Sequence, residues 1–150
     1  MEIRSPKTTD EWKSYYDLRY RVLRAPWRQP EGSEHDEGDQ SAIHFALIEN
    51  TKVLACARLD LQEGSLAQVR FVATDPSLQG KGLGKKIMQA VEQEAIQQKI
   101  SLIQLQAREN AVLFYQHLGY ELIEKTYLLF GEIQHYLMQK KLETKAQPEA

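Results

Sequence analysis

Six residues, three of them glycines, are the most informative stretch of this chain: Gln79-Gly80-Lys81-Gly82-Leu83-Gly84. The run 68–74 before it has the character of a β-strand, and the run from 83 to about 99 after it has helical spacing. Glycine has no Cβ, so a strand that turns through glycines into a helix start brings backbone N–H groups close to an anion. The stretch therefore predicts a phosphorylated ligand.

The glycine spacing excludes two other phosphate loops. A Walker A loop needs four residues between its glycines and then Lys-Ser/Thr, whereas three residues separate Gly80 from Gly84 and a second lysine follows Lys85. A dinucleotide fingerprint needs a third glycine where Lys85 stands, and it normally follows the first strand of its domain. The pattern that fits is Gln-x-x-Gly-x-Gly/Ala. Taken alone, the six residues also fit an ordinary glycine turn before a helix.

The flanking segments extend the match to a known family. Residues 69–76 resemble the fourth strand and following turn of the GNAT acetyltransferase superfamily, and residues 79–84 resemble its coenzyme A pyrophosphate loop. Residues 107–120 resemble its second motif, in which a short helix carries Phe-Tyr and Gly-Tyr enters the next strand. The chain is similar to a small, single-domain, bacterial-type branch of that superfamily.

The resemblance implies an α/β fold. We expect a mixed β-sheet with helices on both faces and with splayed fourth and fifth strands. A single acetyltransferase domain is expected over residues 1–142, with a frayed polar tail at 143–150. Thr9-Asp10 is the predicted cap of a first helix that ends near Arg24, and residues 25–41 are predicted to form a long loop.

The resemblance also assigns residues to the cosubstrate acetyl-CoA. In the family, backbone groups of the fourth strand hold the pantetheine arm and the thioester oxygen; the matching residues are Phe71, Val72, Ala73 and Thr74. An uninterrupted core strand is the alternative. The residues that would hold the pyrophosphate are Gln79, Gly80, Lys81, Gly82, Leu83, Gly84 and Lys85. Arg108 departs from the asparagine of many relatives, and it could reach a phosphate or pair with Glu109.

Tyr115 is the predicted general acid. A phenol has a pKa of about 10, so it is protonated at neutral pH and can give a proton to a departing thiolate. In the family motif its hydroxyl lies near the coenzyme sulfur. The alternative is that Tyr115, like Phe114, only packs in the core.

The general base is left open by the sequence. The candidates are His44 and His135 on strands, because an imidazole titrates near neutrality, and Asp36, Glu37 and Asp39 in the preceding loop. Each histidine could instead be a hydrogen-bonded strand residue, and an ordered water could take the proton. We predict an acceptor site between residues 25–41 and about 125–136.

Residues 31–39 contain five acids and no Lys or Arg. Such a loop could attract a cationic amine. It could also be a solvated surface loop, or it could pair with the cations that precede it: Arg19, Arg21, Arg24 and Arg28.

Composition restricts the partners. A net charge of −2 over 150 residues argues against a nucleic-acid partner, and no apolar stretch reaches the length of a membrane span. Cys56 is the single cysteine, which indicates a reducing, cytoplasmic location, and no metal is expected because no metal-ligand spacing is present. The expected partner is a small-molecule or peptide amine, and a homodimer is possible.

Two functions follow from these observations. The first is an acetyl-CoA-dependent N-acetyltransferase, in which the amine attacks the thioester directly in a ternary complex. The second is a non-catalytic acyl-CoA-binding sensor or interaction module on the same fold. The three glycines and Tyr115 favour the first.

Overall fold

The computed structural model describes residues 1–143, so most of the predicted tail lies outside the described residues. The helices and strands follow in this order: β1 (Glu2–Arg4), α1 (Thr9–Leu23), β2 (Ile43–Glu49), β3 (Lys52–Gln62), β4 (Leu66–Thr74), α2 (Leu83–Gln97), β5 (Leu102–Arg108), α3 (Val112–His117), β6 (Glu121–Leu129) and β7 (Ile133–Lys141). No helix within these residues is both long enough and apolar enough to cross a membrane.

Helix α1 begins with a capping box. The Thr8 hydroxyl accepts a 3.1 Å hydrogen bond from the Glu11 N–H, and the Glu11 carboxylate accepts a 3.3 Å bond from the Thr8 N–H. Arg4, at the end of β1, donates two 2.9 Å bonds to the same carboxylate. The prediction of Thr9-Asp10 as the cap is wrong by one residue, because the glutamate three positions ahead selects Thr8.

The strands within residues 1–143 form a seven-stranded mixed sheet in the order β1-β2-β3-β4-β5-β7-β6. Strands β2 and β3 form an antiparallel hairpin, as do β6 and β7, and β7 also pairs antiparallel with β5. Strands β4 and β5 are parallel, from Leu66 opposite Leu102 to Val69 opposite Leu105. The mixed α/β sheet expected from the sequence is confirmed.

The chain divides into two compact units. The first contains Met1–Asp60 and Arg70–Val91, and the second contains Leu61–Val69 and the chain from Glu92 onward. In the first unit, α1 buries one face against β2, β3 and β4. The core residues that meet there are Tyr15, Leu18, Leu23, Ala46, Ile48, Val53, Cys56 and Ala73.

The second unit is organised by alternation along β5. Ile103, Leu105 and Ala107 are buried, whereas the residues between them are only half-buried. On β7, the Lys140 ammonium donates to the Glu92 carboxylate at 2.8 Å and to the Leu118 carbonyl at 2.7 Å. These bonds tie β7 to the last turns of α2 and to the end of α3.

The predicted loop 25–41 contains short 3₁₀ helices, Ala25–Trp27 and Glu37–Gln40. The second begins with its own capping box, because the Asp36 carboxylate accepts from the Gly38 N–H at 2.8 Å and the Asp39 carboxylate accepts from the Asp36 N–H at 3.0 Å. The carboxylates of Asp36 and Asp39 therefore fix the backbone conformation at the start of this 3₁₀ helix.

Candidate active site

Strand β4 bends at Phe71. This residue has φ +55°, a left-handed conformation that is unusual for a residue with a side chain and that marks a bulge in the strand. It comes two residues after Val69, the last residue in the parallel register with β5. The Cys56 thiol donates to the Phe71 carbonyl at 3.6 Å, and burial raises the pKa of that thiol to about 12. Residues 71–74 thus begin at the bend, beyond the last residue pair of the parallel register between β4 and β5.

A tight turn carries the chain from β4 to the glycine-rich stretch. The Asp75 N–H donates to the Leu54 carbonyl at 2.9 Å. The buried Asp75 carboxylate accepts from the Ser77 N–H at 3.0 Å and from the Ser77 hydroxyl at 2.8 Å, and these bonds lower its pKa. The turn is therefore anchored to β3 before the chain reaches Gln79.

We call residues 79–84 the glycine loop. Gly80 has φ +83° and Gly82 has φ +77°, and a Cβ built at either position would meet nothing within 4 Å. This backbone conformation strongly favours glycine, and open space lies in front of both residues.

The backbone N–H groups of residues 80–85 are unpaired. None of them has a hydrogen-bond acceptor within residues 1–143, and the first helical bond of this region runs from the Lys86 N–H to the Gly82 carbonyl at 3.1 Å. The side chains of Lys81, Lys85 and Lys86 are exposed around these donors. Free N–H groups at a helix start, with cations beside them, are suited to a phosphate group. The residues present therefore fit the pyrophosphate of a coenzyme.

Tyr115 lies on the short helix α3 in the second unit. Its side chain is buried and packs edge-on against Phe114 and Tyr120, at centroid distances of 5.0 and 5.7 Å. Burial raises its pKa, and Arg108 partly opposes that shift, so the phenol is protonated at neutral pH. No group within the described residues forms a hydrogen bond with its hydroxyl. By contrast, the Tyr120 hydroxyl donates to Glu92 at 2.9 Å.

Arg108 and His135 are opposite one another on β5 and β7. The His135 Nδ1 donates to the Ile133 carbonyl at 3.0 Å, which leaves Nε2 as the basic nitrogen. Nε2 has no hydrogen-bond partner within residues 1–143, and the ring stacks on Tyr127 at 4.7 Å. Burial and the charge of Arg108 lower the pKa of His135, so the imidazole is neutral near pH 7.

His44, in the first unit, uses both of its ring nitrogens. Nε2 lies 2.8 Å from the Asp39 carbonyl, which can only accept, so Nε2 carries the proton. Nδ1 then accepts from the Tyr15 hydroxyl at 2.8 Å. Burial, together with Arg19 and Arg58, lowers the pKa of His44. The ring would have to give up the Tyr15 bond to take a proton from a substrate.

A buried ion network holds two acids of the 31–39 loop, and we call it the arginine network: Arg19, Asp36, Asp39, Arg58 and Asp60. Arg19 and Arg58 are 0% and 1% exposed. Asp39 accepts from Arg19 at 3.0 Å and from Arg58 at 2.9 Å. Burial opposes its ionisation, but the two guanidinium groups outweigh that effect and lower its pKa.

The other bonds of the network converge on Arg58. Its guanidinium donates to Asp36 at 2.8 Å and to Asp60 at 2.7 Å. A Cβ on Gly38 would come within 2.8 Å of the same group, so the close approach requires glycine there. Within the described residues, the Arg19 Nε is a buried side-chain nitrogen without a hydrogen-bond partner.

The alternative that Arg19, Arg21, Arg24 and Arg28 pair with the acidic loop is confirmed for Arg19. Arg24 donates to the Ser33 carbonyl of that loop at 3.1 Å, whereas Arg21 pairs with Asp17 at 2.7 Å. The sequence interpretation missed Arg58, although a lone cation inside the apolar run 53–61 was a signal that a buried counter-ion had to exist.

The predicted site residues fall into two groups. Residues 71–74, residues 79–85 and His44 lie in the first unit, and Arg108, Tyr115 and His135 lie in the second. Within the described chain, no group of three or more His, Cys, Asp and Glu side chains is arranged to hold a metal ion.

Comparison with known proteins places this geometry in a family. Residues 10–120 match the model of the Acetyltransferase (GNAT) family. The "Uncharacterized N-acetyltransferase ycf52" of Pyropia yezoensis is 36% identical over 84 residues, which are 53% of this chain and 48% of that protein. The match thus spans about half the length of that relative.

Solved structures share the fold. The ribosomal-protein-S18-alanine N-acetyltransferase from Escherichia coli superimposes with a TM-score of 0.75 at 22% identity, over 99% of this chain and 98% of that chain. An aminoglycoside 6'-N-acetyltransferase complexed with coenzyme A superimposes with a TM-score of 0.80 at 15% identity, over 99% of this chain and 100% of that chain. The resemblance drawn from three sequence blocks is confirmed, and the chain belongs to the GNAT acetyltransferase family.

Proposed function

We propose that this protein is an acetyl-CoA-dependent N-acetyltransferase that acts as a single domain over residues 1–142. The observation that carries the proposal is the glycine loop, whose unpaired N–H groups follow a bent strand in the order that the family uses. The loop would hold the pyrophosphate of acetyl-CoA, and residues 71–74 would hold the pantetheine arm and the thioester. Arg108 is a further candidate for contact with the coenzyme.

In the proposed reaction the acceptor amine attacks the thioester carbon directly in a ternary complex. A C–N bond forms, the C–S bond breaks, the amine loses one proton and the thiolate gains one. Tyr115 is suited to donate that proton, because its buried phenol is protonated and its hydroxyl is not held by a neighbour within the described residues.

His135 is the better candidate for the base. Its Nε2 is free of hydrogen bonds within residues 1–143 and its lowered pKa keeps it neutral, so it can accept a proton near pH 7. His44 is the second candidate, because both of its nitrogens are already engaged.

The acceptor is proposed to be a small-molecule or peptide amine. A cytoplasmic location and a homodimer remain predictions from the sequence. The ribosomal-protein-S18-alanine and aminoglycoside N-acetyltransferases named above act on different acceptors, so the family does not fix the substrate.

The function is tested by release of free coenzyme A thiol from acetyl-CoA in the presence of a panel of primary amines, with mass spectrometry of the acetylated product. We expect acetyl-CoA to bind and at least one amine to be acetylated. Binding without acetylation of any amine would favour the sensor function instead. Failure to bind acetyl-CoA would contradict both.

The role of Tyr115 is tested by Tyr115→Phe, with Tyr120→Phe as the matched control. Both changes remove a buried hydroxyl from the same aromatic pair, but the Tyr120 hydroxyl already donates to Glu92. We expect Tyr115→Phe to lower kcat by about 10²–10⁴-fold with unchanged acetyl-CoA affinity. A kcat within twofold of the wild type would remove Tyr115 from the mechanism.

A further inference from the structure

The first unit contains an open cavity of about 430 Å³ beside helix α1, and none of the residues assigned above to the coenzyme or to the proton transfers lines it. We call it the α1 cavity. Its lining residues come from α1 and from the start of the acidic loop: Thr9, Trp12, Lys13, Tyr16, Asp17, Tyr20, Glu31, Glu34 and His35. The volume lies within the range of small-molecule sites, which combine apolar walls with a few polar groups.

Three aromatic side chains form one wall of the α1 cavity. Trp12, Tyr16 and Tyr20 are spaced four residues apart, so they lie along one face of α1. The rings of Trp12 and Tyr16 are stacked at 5.9 Å, and the Tyr20 hydroxyl is fixed by a 3.1 Å bond to the Gln29 carbonyl. Aromatic faces of this kind attract an organic cation as well as an apolar body.

The rest of the lining includes Glu31, Glu34 and His35 of the acidic loop. Here the His35 ring lies against Tyr16, with a centroid distance of 4.1 Å. The Glu34 carboxylate accepts from the Gly32 N–H at 2.8 Å, and its other oxygen is 3.5 Å from the His35 ring nitrogen. Glu34 is thus held in place, with a negative charge beside the aromatic wall.

The other charged side chains in and behind the lining of the α1 cavity differ in whether they are paired. Asp17 is paired with Arg21 at 2.7 Å, so it contributes little net field. Behind the wall, the Arg19 guanidinium lies 5.0 Å from the Tyr16 ring, but Asp39 is 3.0 Å away and offsets its charge. Glu31 is exposed and has no partner within the described residues.

Lys13 is the cation of the lining, and it too has no partner within residues 1–143. The two glutamates therefore outweigh it, and the lining carries an excess of negative charge over an aromatic surface. We propose that the α1 cavity binds an organic cation with an apolar body, such as an arylalkyl ammonium or a polyamine. The cation could be the acceptor itself or an effector that is not acetylated, since both present the same ammonium chemistry.

The binding is tested on the wild-type protein alone with a matched pair of probes, phenethylammonium and its neutral analogue 2-phenylethanol. Calorimetry gives the affinities, and the indole N–H signal of Trp12 in NMR spectra reports the place of binding. That signal is assigned by its loss in Trp12→Phe. We expect phenethylammonium to bind at least tenfold more tightly than 2-phenylethanol and to shift the Trp12 signal. Spermidine tests whether a cation without a ring also binds.

Two variants, one that removes a negative charge and one that removes a positive charge, are expected to change the affinity in opposite directions. Partial unfolding would lower the affinity in both. Glu31→Gln removes the free carboxylate and should weaken phenethylammonium binding, whereas Lys13→Gln removes the competing cation and should strengthen it. Both side chains are exposed, so both variants should fold. Equal affinity for the two probes, no shift of the Trp12 signal, or an affinity that neither variant changes would overturn the inference.

Adding acetyl-CoA distinguishes the two sources of the cation. If bound phenethylammonium is acetylated and Glu31→Gln raises KM without changing kcat, the α1 cavity is an acceptor site. If it binds without being acetylated, the cavity is an effector site. Because binding is measured without acetyl-CoA, a protein that releases no thiol would contradict the proposed function and leave the cation site standing.

Discussion

The glycine loop and the arginine network lie in the same unit, but their polar groups differ: those of the loop are unpaired, and those of the network are paired and buried. In the loop, the N–H groups of residues 80–85 have no acceptor within the described chain, and space lies open in front of Gly80 and Gly82. In the network, Asp39 is shared by two fully buried guanidinium groups. The difference teaches that charge alone does not mark a binding site. Exposed donors without partners are available to a ligand, whereas acids that are already paired hold the fold.

The first test of this contrast is Asp39→Asn. Removing the carboxylate leaves Arg19 and Arg58 with less compensation for their buried charge, and breaking a buried ion pair costs about 3–5 kcal/mol. We expect the free energy of unfolding to fall by that amount in urea titrations, with little change in the acetyl-CoA affinity of the folded protein.

The control is Asp17→Asn, which breaks the exposed pair with Arg21. We expect it to cost less than about 1 kcal/mol. Equal losses of stability in the two variants would show that the ion pairs of the arginine network stabilise the fold no more than an exposed ion pair does.

The second test replaces Gly82 with valine. A β-branched residue is strained at φ +77°, and its side chain would occupy the open space in front of the loop. We expect acetyl-CoA affinity, measured by calorimetry, to fall at least about tenfold, which is about 1.4 kcal/mol. Gly64→Val is the matched control, because Gly64 has φ +80° and the same open surroundings. It should lose a similar amount of stability and keep its affinity; an equal loss of affinity in both would contradict the loop assignment.

The third test is the pH dependence of stability. His44 has a lowered pKa because it is buried, so below about pH 6.5 the unfolded chain takes up a proton that the folded chain does not. Stability should therefore decline as the pH falls from 7.5 to 5.5, and His135 should add to the decline in the same direction.

Two variants separate the contribution of His44. Gln can keep both of its hydrogen bonds, so His44→Gln should reduce the pH slope of Tm. His117→Gln, which replaces an exposed histidine, is the control for the substitution itself. An unchanged slope in His44→Gln would mean that folding does not change the pKa of His44, contrary to the lowered value.

The smallest effect is expected for Lys81→Ala. Lys81 is an exposed side chain of the glycine loop, and exposed ion pairs contribute about 0.2–1 kcal/mol. Acetyl-CoA affinity should fall by no more than about fivefold, and the difference from the wild type should shrink at high salt. Lys7→Ala, an exposed lysine before α1, should change nothing. A loss as large as that of Gly82→Val would assign the binding to side-chain charge rather than to backbone N–H groups.

The fold and the loop were predictable because their signals are local. The strand β4, the glycine turn and the start of α2 all lie within residues 66–84. The conformation of Gly80 and Gly82 depends on their lack of a Cβ. The cap of α1 was missed by one residue because Thr8 and Thr9 have the same chemistry. Only the position of Glu11 distinguishes them.

The site residues were less predictable because their chemistry depends on distant partners. The sequence proposed His44 and His135 on equal terms, and the structure separates them by their hydrogen bonds: His44 has two, and His135 keeps Nε2 free of any within the described residues. No local pattern reports the Tyr15 hydroxyl, which lies 29 positions before His44.

By itself, the sequence determined the family, the order of the strands and helices, and the loop that is suited to a pyrophosphate, because each depends on residue types at short, fixed spacing. The tertiary structure alone decided which charges are free. Asp36 and Asp39 are paired with Arg58, which is 22 and 19 positions away, whereas Glu31, in the same acidic loop, has no partner within residues 1–143. The physical reason is that the energy of a charge depends on its burial and on its neighbours in space, which a linear pattern does not contain.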